Sequence, residues 1–595
     1  MKKLLTGNEA IALGAIEAGI VYAGAYPGTP STEILEILGT HPRSEIIAEW
    51  APNEKVAMES AIGASMAGAR SLAAMKHVGV NVAADPLMSF AYSGTNGGMV
   101  LISADDPGLH SSQNEQDNRY YAKFAKVPML EPADSQEAKD MILAAMEISE
   151  KFQRPVLLRT TTRINHSKSV VEAGPVTKHP KKPYEKNSRF DLVPAVSKRL
   201  HVELEARLIE LAAYSEETPL NFVEYHDKKI GVVAAGAAYQ YAREVFGEKA
   251  SYCKIGLSFP LPMKKIKDFA AQVETLYVIE ELEPFMEEQI KAAGIKCIGK
   301  EKIPVCDELA PTIVARALLG QEPDMVCVEA QAVPRPPTLC AGCPHRGFFY
   351  QLSKLKDVVL TSDIGCYGLG GSPPLNAKDS CICMGGASSM GHGAQEAFSF
   401  FGENKRVIAN MGDSTFFHTG LSGLMQVVYN NSPVITCILD NRITGMTGHQ
   451  ENPGSGFTLQ GSPAPILEIE PLVRALGVKH VRVVNPLDQT AMKEALQWAL
   501  AIKDEPSVII TRWPCVLKKM TAADKKEFGD YFHTCEVVTE TCVGCRTCVR
   551  TGCPALRFDK ATKKTRIEAS QCVGCEICLQ VCPKQAIKAV QKGSK

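Results

Sequence analysis

The chain has 595 residues, 45% apolar and 22% charged, with a net charge of −1. That length predicts roughly three to five domains of about 100–200 residues each, and the near-neutral balance argues against a nucleic-acid partner. No run reaches the ~18 uninterrupted apolar residues of a membrane span. The N-terminal "MKKLLTGNEAIALGAIEAGI" is broken by Glu9 and Glu17 and followed by no small-residue cleavage site, so it is expected to be a helix of a mature domain.

Residues 1–170 alternate helical and strand-like runs with Gly-rich turns, as in "IVYAGAYPGTP", "KVAMESAIGASMAGARS" and "GGMVLISADDPG". That alternation predicts a parallel α/β domain, closing at "RPVLLRTTTRI" (Arg154–Ile164). The polar "EAGPVTKHPKKPYEKNSR" predicts a linker region, 171–228. A second α/β domain, 229–333, opens with "KKIGVVAAGAAYQYAREV", carries a strand at "TLYVIEE" and ends in the helical "PTIVARALL". It shows no chemical motif. The Pro-rich "VPRPPT" (Val333–Thr338) precedes a third α/β domain, 334–528, with buried strands expected at "RVIANM", "PVITCILD" and "SVIITRW". A cysteine-rich tail, 529–595, begins near Asp530.

The segment "MGDSTFFHTGLSGLMQVVYNNSPVITCILDNRI" (Met411–Ile443) reads as strand, helix near Gly420–Asn430, strand. Gly412-Asp413 and Asp440-Asn441 then fall at the carboxyl ends of parallel strands, where such sheets bind ligands. Asp413, Asn441 and the Ile443 carbonyl offer the hard oxygen ligands that suit Mg²⁺ on a diphosphate, Gly412 permits close approach, and Ser414 and Thr415 are candidate donors to the phosphates. The segment resembles the thiamine diphosphate motif, departing from it at Ser414, which stands for a second Gly, and at Asp440; an accidental strand–turn–helix is the alternative. Thiamine also needs a carboxylate that holds its aminopyrimidine as the imino tautomer. "PNEKVAMESAIGASMAGAR" (Pro52–Arg70) offers Glu54 at the start of a small-residue helix, with Glu59 as competitor.

With these residues in view the chain resembles the 2-oxoacid:ferredoxin oxidoreductases. "AYPGTPSTE" (Ala25–Glu33) is similar to that family's Tyr-Pro-x-Thr-Pro-Ser, which implies that Thr29 contacts the substrate carboxylate. "LCAGCPHRG" (Leu339–Gly347) and "TGHQ" (Thr447–Gln450) are similar to two further family segments, and His345 takes a motif position near diphosphate or substrate; His418 is a weaker candidate. The resemblance spans essentially the whole chain and is strongest to the alpha subunits of the aryl-pyruvate (indolepyruvate) branch. It implies thiamine-binding parallel sheets with flanking helices in 1–170 (pyrimidine side) and 334–528 (diphosphate and Mg²⁺ side), a transketolase-C-like domain in 229–333, and a two-cluster ferredoxin-like tail in 529–595. Pyruvate-specific relatives place an Arg near the position of Asp105–Asp106 and an Asn where this chain has Met446; neither is present, which argues for a larger, apolar substrate.

The 20 cysteines are too many for a typical domain, and with no secretory signal they argue for a reducing cytoplasm rather than disulfides. "TCVGCRTCVRTGCP" and "QCVGCEICLQVCP" are paired ferredoxin runs. In such pairs the fourth Cys ligates the other cluster. Cys542, Cys545, Cys548 and Cys582 are therefore expected at one 4Fe–4S cluster, and Cys572, Cys575, Cys578 and Cys553 at the other. The first run has four residues, "VRTG", before its last Cys where the second has three; Gly552 can absorb the bend. Zinc, the alternative for Cys-x2-Cys pairs, fits the doubled Cys-Pro ending poorly. The resemblance further implies a third, proximal cluster at Cys340, Cys343, Cys366 and Cys515, with Cys381 and Cys383 as competitors. Cys253, Cys297, Cys306, Cys327 and Cys437 are expected to be small core residues.

The reading is a thiamine-dependent oxidoreductase converting aryl pyruvates, coenzyme A and ferredoxin to aryl-acetyl-CoA. It is expected to need a separate beta subunit (α2β2), without nucleic acid or membrane. The alternatives are an oxidoreductase for pyruvate or another small 2-oxoacid, a non-oxidative 2-oxoacid decarboxylase, and an electron-transfer subunit that binds no substrate.

Overall fold

The computed structural model describes residues 1–177, 179–184, 186–322, 333, 335–529 and 533–591. Cys327, Pro334 and the expected tail boundary at Asp530 lie outside the described residues. The chain divides into two compact units, Met1–Glu329 with Leu459–Gly461, and Ala330–Thr458 with Ser462–Lys595.

The first unit is built on a seven-stranded sheet. Its strands are β1 (Tyr22–Ala25), β2 (Ile47–Trp50), β3 (Ser71–Lys76), β4 (Met99–Asp105), β5 (Met129–Leu130), β6 (Val156–Thr161) and β7 (Leu257–Phe259), in the spatial order β7-β5-β6-β4-β3-β1-β2. All neighbours are parallel except β7 on β5. Every residue of β3, β4 and β6 is buried, as a parallel sheet covered on both faces requires. The N-terminus departs from the expected single helix: Lys2–Thr6 pairs antiparallel with Lys168–Glu172, and the helix, Gly7–Glu17, starts behind a Thr6/Glu9 capping box.

The stretch expected as a linker, 171–228, contains a 24-residue helix, Pro194–Glu217. It was hidden because only Leu200, Leu204, Leu211 and Ser215 are buried on it, a stripe too narrow to read as amphipathic. A second, four-stranded sheet follows, ordered Thr275–Ile279, Ile230–Ala235, Ser251–Ile255, Phe222–Glu224. A buried charge cluster ties it to the first sheet: Arg119, 1% exposed, bonds Asp117 and Glu280 at 2.6 Å each. Removing one partner of such a set leaves an uncompensated buried charge, which costs about 3–5 kcal/mol.

The second unit holds a six-stranded parallel sheet. Its strands are β8 (Val358–Ser362), β9 (Ser380–Cys381), β10 (Arg406–Gly412), β11 (Ile435–Asp440), β12 (His480–Val484) and β13 (Ser507–Arg512), ordered β9-β8-β10-β11-β13-β12. The tail adds two antiparallel pairs, His533–Val537 with Ile587–Gln591 and Leu556–Asp559 with Lys564–Ile567. Among the described residues no helix is long and apolar enough to cross a membrane.

Candidate active site and iron–sulfur cavities

In the second unit, β10 and β11 end side by side and deliver the two polar turns together. Asp413 is 3% exposed; its carboxylate accepts from the Ser414 N–H at 2.8 Å and from the Asn452 amide at 3.3 Å. Burial, then the nearby Asp440, pushes its carboxyl up to about 8. A buried carboxylate with no cation beside it is a site that a metal ion would relieve. Asp440 itself is committed to the Arg512 Nε at 2.9 Å, so the departure from the motif at this position does not add a competing ligand. Asn441 Oδ1 accepts from the Ile443 N–H at 3.2 Å. Ser414 Oγ accepts from Thr444, and Thr415 Oγ1 lies 2.8 Å from the Tyr367 hydroxyl. A Cβ on Gly412 would sit 2.8 Å from the Tyr367 ring, so only glycine fits that strand end. The chain after Asp413 continues as a five-residue π-helix, Phe416–Gly420, before the helix Leu421–Tyr429; such turns concentrate at functional sites.

His345 starts the helix His345–Leu352 and is buried; its Nε2 lies 3.3 Å from Asn441 Nδ2, and burial holds its imidazole down at about 4. His418 is buried against Thr419, at 3.1 Å. Asp363, just past β8, was not anticipated: burial pushes its carboxyl up to about 6 while it accepts three N–H bonds, from Ile364, Gly385 and Ala387, at 2.7–3.1 Å. Met446 is 51% exposed in this unit.

The four expected proximal cysteines gather beside these turns. The Cys515 N–H donates to the Asn441 carbonyl at 3.0 Å, and Cys343 N–H to the Cys340 carbonyl at 3.1 Å. A Cβ on Gly445 would lie 3.6 Å from Cys366 Sγ and 3.8 Å from Asn441 Nδ2. Burial, with Cys366 and Cys515 nearby, pushes the Cys343 thiol up to about 12; burial, with Cys515 and Cys340 nearby, pushes Cys366 up to about 11. Cys381 and Cys383 face Asp363 instead.

The tail encloses two cavities. One is lined by Cys542, Cys545, Cys548 and Cys582; the other by Cys553, Cys572, Cys575 and Cys578. These are the two sets expected from the crossed ferredoxin spacing. Cys535, which neither run contains, also lines the second cavity, and its N–H donates to Cys572 Sγ at 3.3 Å. Among the described residues no three His, Cys, Asp or Glu side chains converge as a single-ion site does; the thiols border a wider space, which suits a multi-iron cluster. Cys253 and Cys437 are core residues as expected, whereas Cys297 is half-buried and Cys306 exposed, being in loops outside the sheets.

In the first unit the carboxyl ends of β1 to β4 bring together a second polar group. Glu54, 7% exposed, is the first residue of the helix Glu54–Met66, capped by Asn53, and packs against Gly79, where a Cβ would sit 2.7 Å from its Cγ. Glu59 is exposed and paired with Lys55. Thr29 follows β1, and its carbonyl accepts from Ser111 Oγ at 3.4 Å. Lys76, at the end of β3, was not anticipated. It is 9% exposed, and its ammonium donates to the Ser111 carbonyl at 2.6 Å. Burial brings that ammonium down to about 8, against the pull of Asp106. A Cβ on Gly28 would touch Lys76 Cβ at 3.1 Å. Among the described residues no arginine ion pair involves Asp106, but Arg159 bonds Asp105 at 2.8 Å and is committed there and to Glu131. The Arg expected to be missing near Asp105–Asp106 is not in that segment; the cation felt there is Lys76, from a strand distant in sequence.

Three family models match the chain: "Pyruvate flavodoxin/ferredoxin oxidoreductase, thiamine diP-bdg" over residues 13–226, "Thiamine pyrophosphate enzyme, C-terminal TPP binding domain" over 363–511, and "4Fe-4S dicluster domain" over 541–586. Curated relatives include the indolepyruvate oxidoreductase subunits IorA of Archaeoglobus fulgidus, 42% identical over 99% of this chain and 97% of the relative, and of Pyrococcus horikoshii, 39% identical over 100% and 97%. A third, from Methanothermobacter thermautotrophicus, is 37% identical over 100% and 98%. By these near-full-length matches and the thiamine and dicluster family models, the chain belongs to the indolepyruvate oxidoreductase subunit IorA family, within the thiamine-dependent 2-oxoacid:ferredoxin oxidoreductases.

Proposed function

We propose that the chain is the catalytic alpha subunit of an indolepyruvate:ferredoxin oxidoreductase, acting in the cytoplasm with a beta subunit. One aryl pyruvate, one coenzyme A and two oxidised ferredoxins yield aryl-acetyl-CoA, carbon dioxide, a proton and two reduced ferredoxins. Thiamine diphosphate supplies the electron sink for decarboxylation, and iron–sulfur clusters accept electrons singly.

The chain's own residues bind, orient and exclude water. Asp413, Asn441 and the Ile443 carbonyl would hold Mg²⁺ for the diphosphate, with Ser414 and Thr415 as donors to the phosphate oxygens. Glu54 would bond the aminopyrimidine. Thr29 and the Lys76 ammonium would receive the substrate carboxylate. His345 stays neutral and fixes Asn441. Cys340, Cys343, Cys366 and Cys515 would hold a third 4Fe–4S cluster, besides those of the Cys542 and Cys572 sets in the tail.

The observation that supports this most is the Cys515 N–H bond to the Asn441 carbonyl, 3.0 Å, which ties a cluster cysteine to the metal-binding turn. A non-oxidative decarboxylase would gain nothing from that adjacency. Iron and thiamine analysis of the purified chain, followed by ferredoxin reduction assays with its beta subunit, tests the proposal; thiamine without iron beyond the tail's two clusters would count against the third.

A further inference from the structure

Arg346 is 1% exposed, and no carboxylate pairs with it among the described residues. Its Nη2 donates to the carbonyls of Leu339 and Cys340, the latter at 2.9 Å; its Nη1 donates to the Thr551 carbonyl at 2.9 Å; its Nε has no acceptor. The same side chain lines the cavity of Cys553, Cys572, Cys575 and Cys578. One guanidinium thus touches the loop of Cys340 and Cys343 and the wall of a tail cavity.

The unusual four-residue spacing of the first ferredoxin run lies at this contact. Val549–Thr551 forms a single 3₁₀ turn, and Gly552 follows at φ +72°. The turn presents the Thr551 carbonyl to Arg346, and a Cβ on Gly552 would sit 3.2 Å from Arg346 Nη1. The extra residue makes the seat that the guanidinium occupies.

A buried cation bonded only to carbonyls is costly unless negative charge lies close. Four thiolates around a 4Fe–4S cluster make an anion in both redox states, and the more so when reduced. A fixed cation at its edge therefore favours the reduced form, since net charge is one of the levers on cluster potential.

We infer that Arg346 is a positioning residue that raises the reduction potential of the cluster seated among Cys553, Cys572, Cys575 and Cys578, and so makes that site a favourable acceptor next to the Cys340–Cys343 loop. This rests on the reading of the cavity as a 4Fe–4S site.

The test is a potentiometric titration, followed by electron paramagnetic resonance, of the full-length chain purified without oxygen. Arg346→Gln with full iron content is expected to disfavour reduction of one tail cluster by about tenfold or more, a fall of about 59 mV for one electron. Arg346→Lys, which keeps the charge, should fall by less than half as much. An unchanged midpoint in the glutamine variant with its iron intact overturns the inference and leaves the cluster reading standing. Wild-type chain lacking a second tail cluster overturns both. If Arg346→Gln loses iron, Ala341→Glu replaces it: Ala341 lines the same cavity, and a carboxylate there should lower the same midpoint, whereas no shift contradicts the inference.

Discussion

The Asn441 amide donates to His345 Nε2 at 3.3 Å, joining residues 96 apart in sequence. Because Asn441 Oδ1 accepts from the Ile443 N–H, its Nδ2 is the atom facing the ring. His345 must then accept at Nε2 and stay neutral, in agreement with an imidazole held at about 4 by burial. His345→Phe keeps the ring but removes the acceptor. Leaving a buried donor unpaired costs about 1–3 kcal/mol. The variant should bind thiamine diphosphate roughly 5–150-fold more weakly by calorimetry, and unaltered affinity would show that the pair does not orient Asn441.

Asp413→Ala removes the buried carboxylate proposed as a Mg²⁺ ligand. Purified variant is expected to lose both magnesium and thiamine while keeping the tail iron, because the eight tail cysteines lie in separate cavities. Cofactor content equal to wild type would rule out Asp413 as the ligand.

The tail is legible in the sequence because its eight cysteines sit in two short runs whose spacing dictates the sharing. Cys535 is not legible, since it enters only through the pairing of His533–Val537 with Ile587–Gln591. Asp413 and Asn441 are readable because each directly follows an apolar strand. Lys76, Asp363 and Arg346 are not: each is a single polar residue, Arg346 even inside the "LCAGCPHRG" segment, and its partners at Ser111, Gly385 and Thr551 come from elsewhere in the chain. The long helix of residues 194–217 was likewise masked by its sparse buried stripe.

Cys515 lies beside the Asn441 turn and among the proximal cysteines, whereas Cys383 faces Asp363. Cys515→Ala should lower iron by about one 4Fe–4S cluster's worth, and Cys383→Ala should not. The reverse result in iron analysis would reassign the ligand.

Lys76 gives the reaction a pH signature. Its ammonium is held down at about 8, chiefly by burial, so the cation proposed to meet the substrate carboxylate is lost above that pH. kcat/KM for aryl pyruvates should decline above pH about 8, Lys76→Met should raise KM at least about 10-fold, and Lys76→Arg, whose guanidinium stays charged, should lose the decline. Because the unfolded lysine holds its proton up to about pH 10.4, the folded chain should gain stability as pH rises from about 8 through that window. A decline that persists in the arginine variant assigns it to another group.

Oxidation of aryl pyruvates is read out by comparing kcat/KM for indolepyruvate, phenylpyruvate and pyruvate in the complete complex with beta subunit, ferredoxin and coenzyme A. Lys76 can meet the carboxylate of any of them, so the preference must come from burying the ring. At roughly 25 cal/mol per Å² an aromatic side chain offers several kcal/mol that a methyl group does not. The aryl substrates should exceed pyruvate by at least about 10-fold, roughly 1.4 kcal/mol of transition-state binding; equal or faster turnover of pyruvate would overturn the aryl assignment.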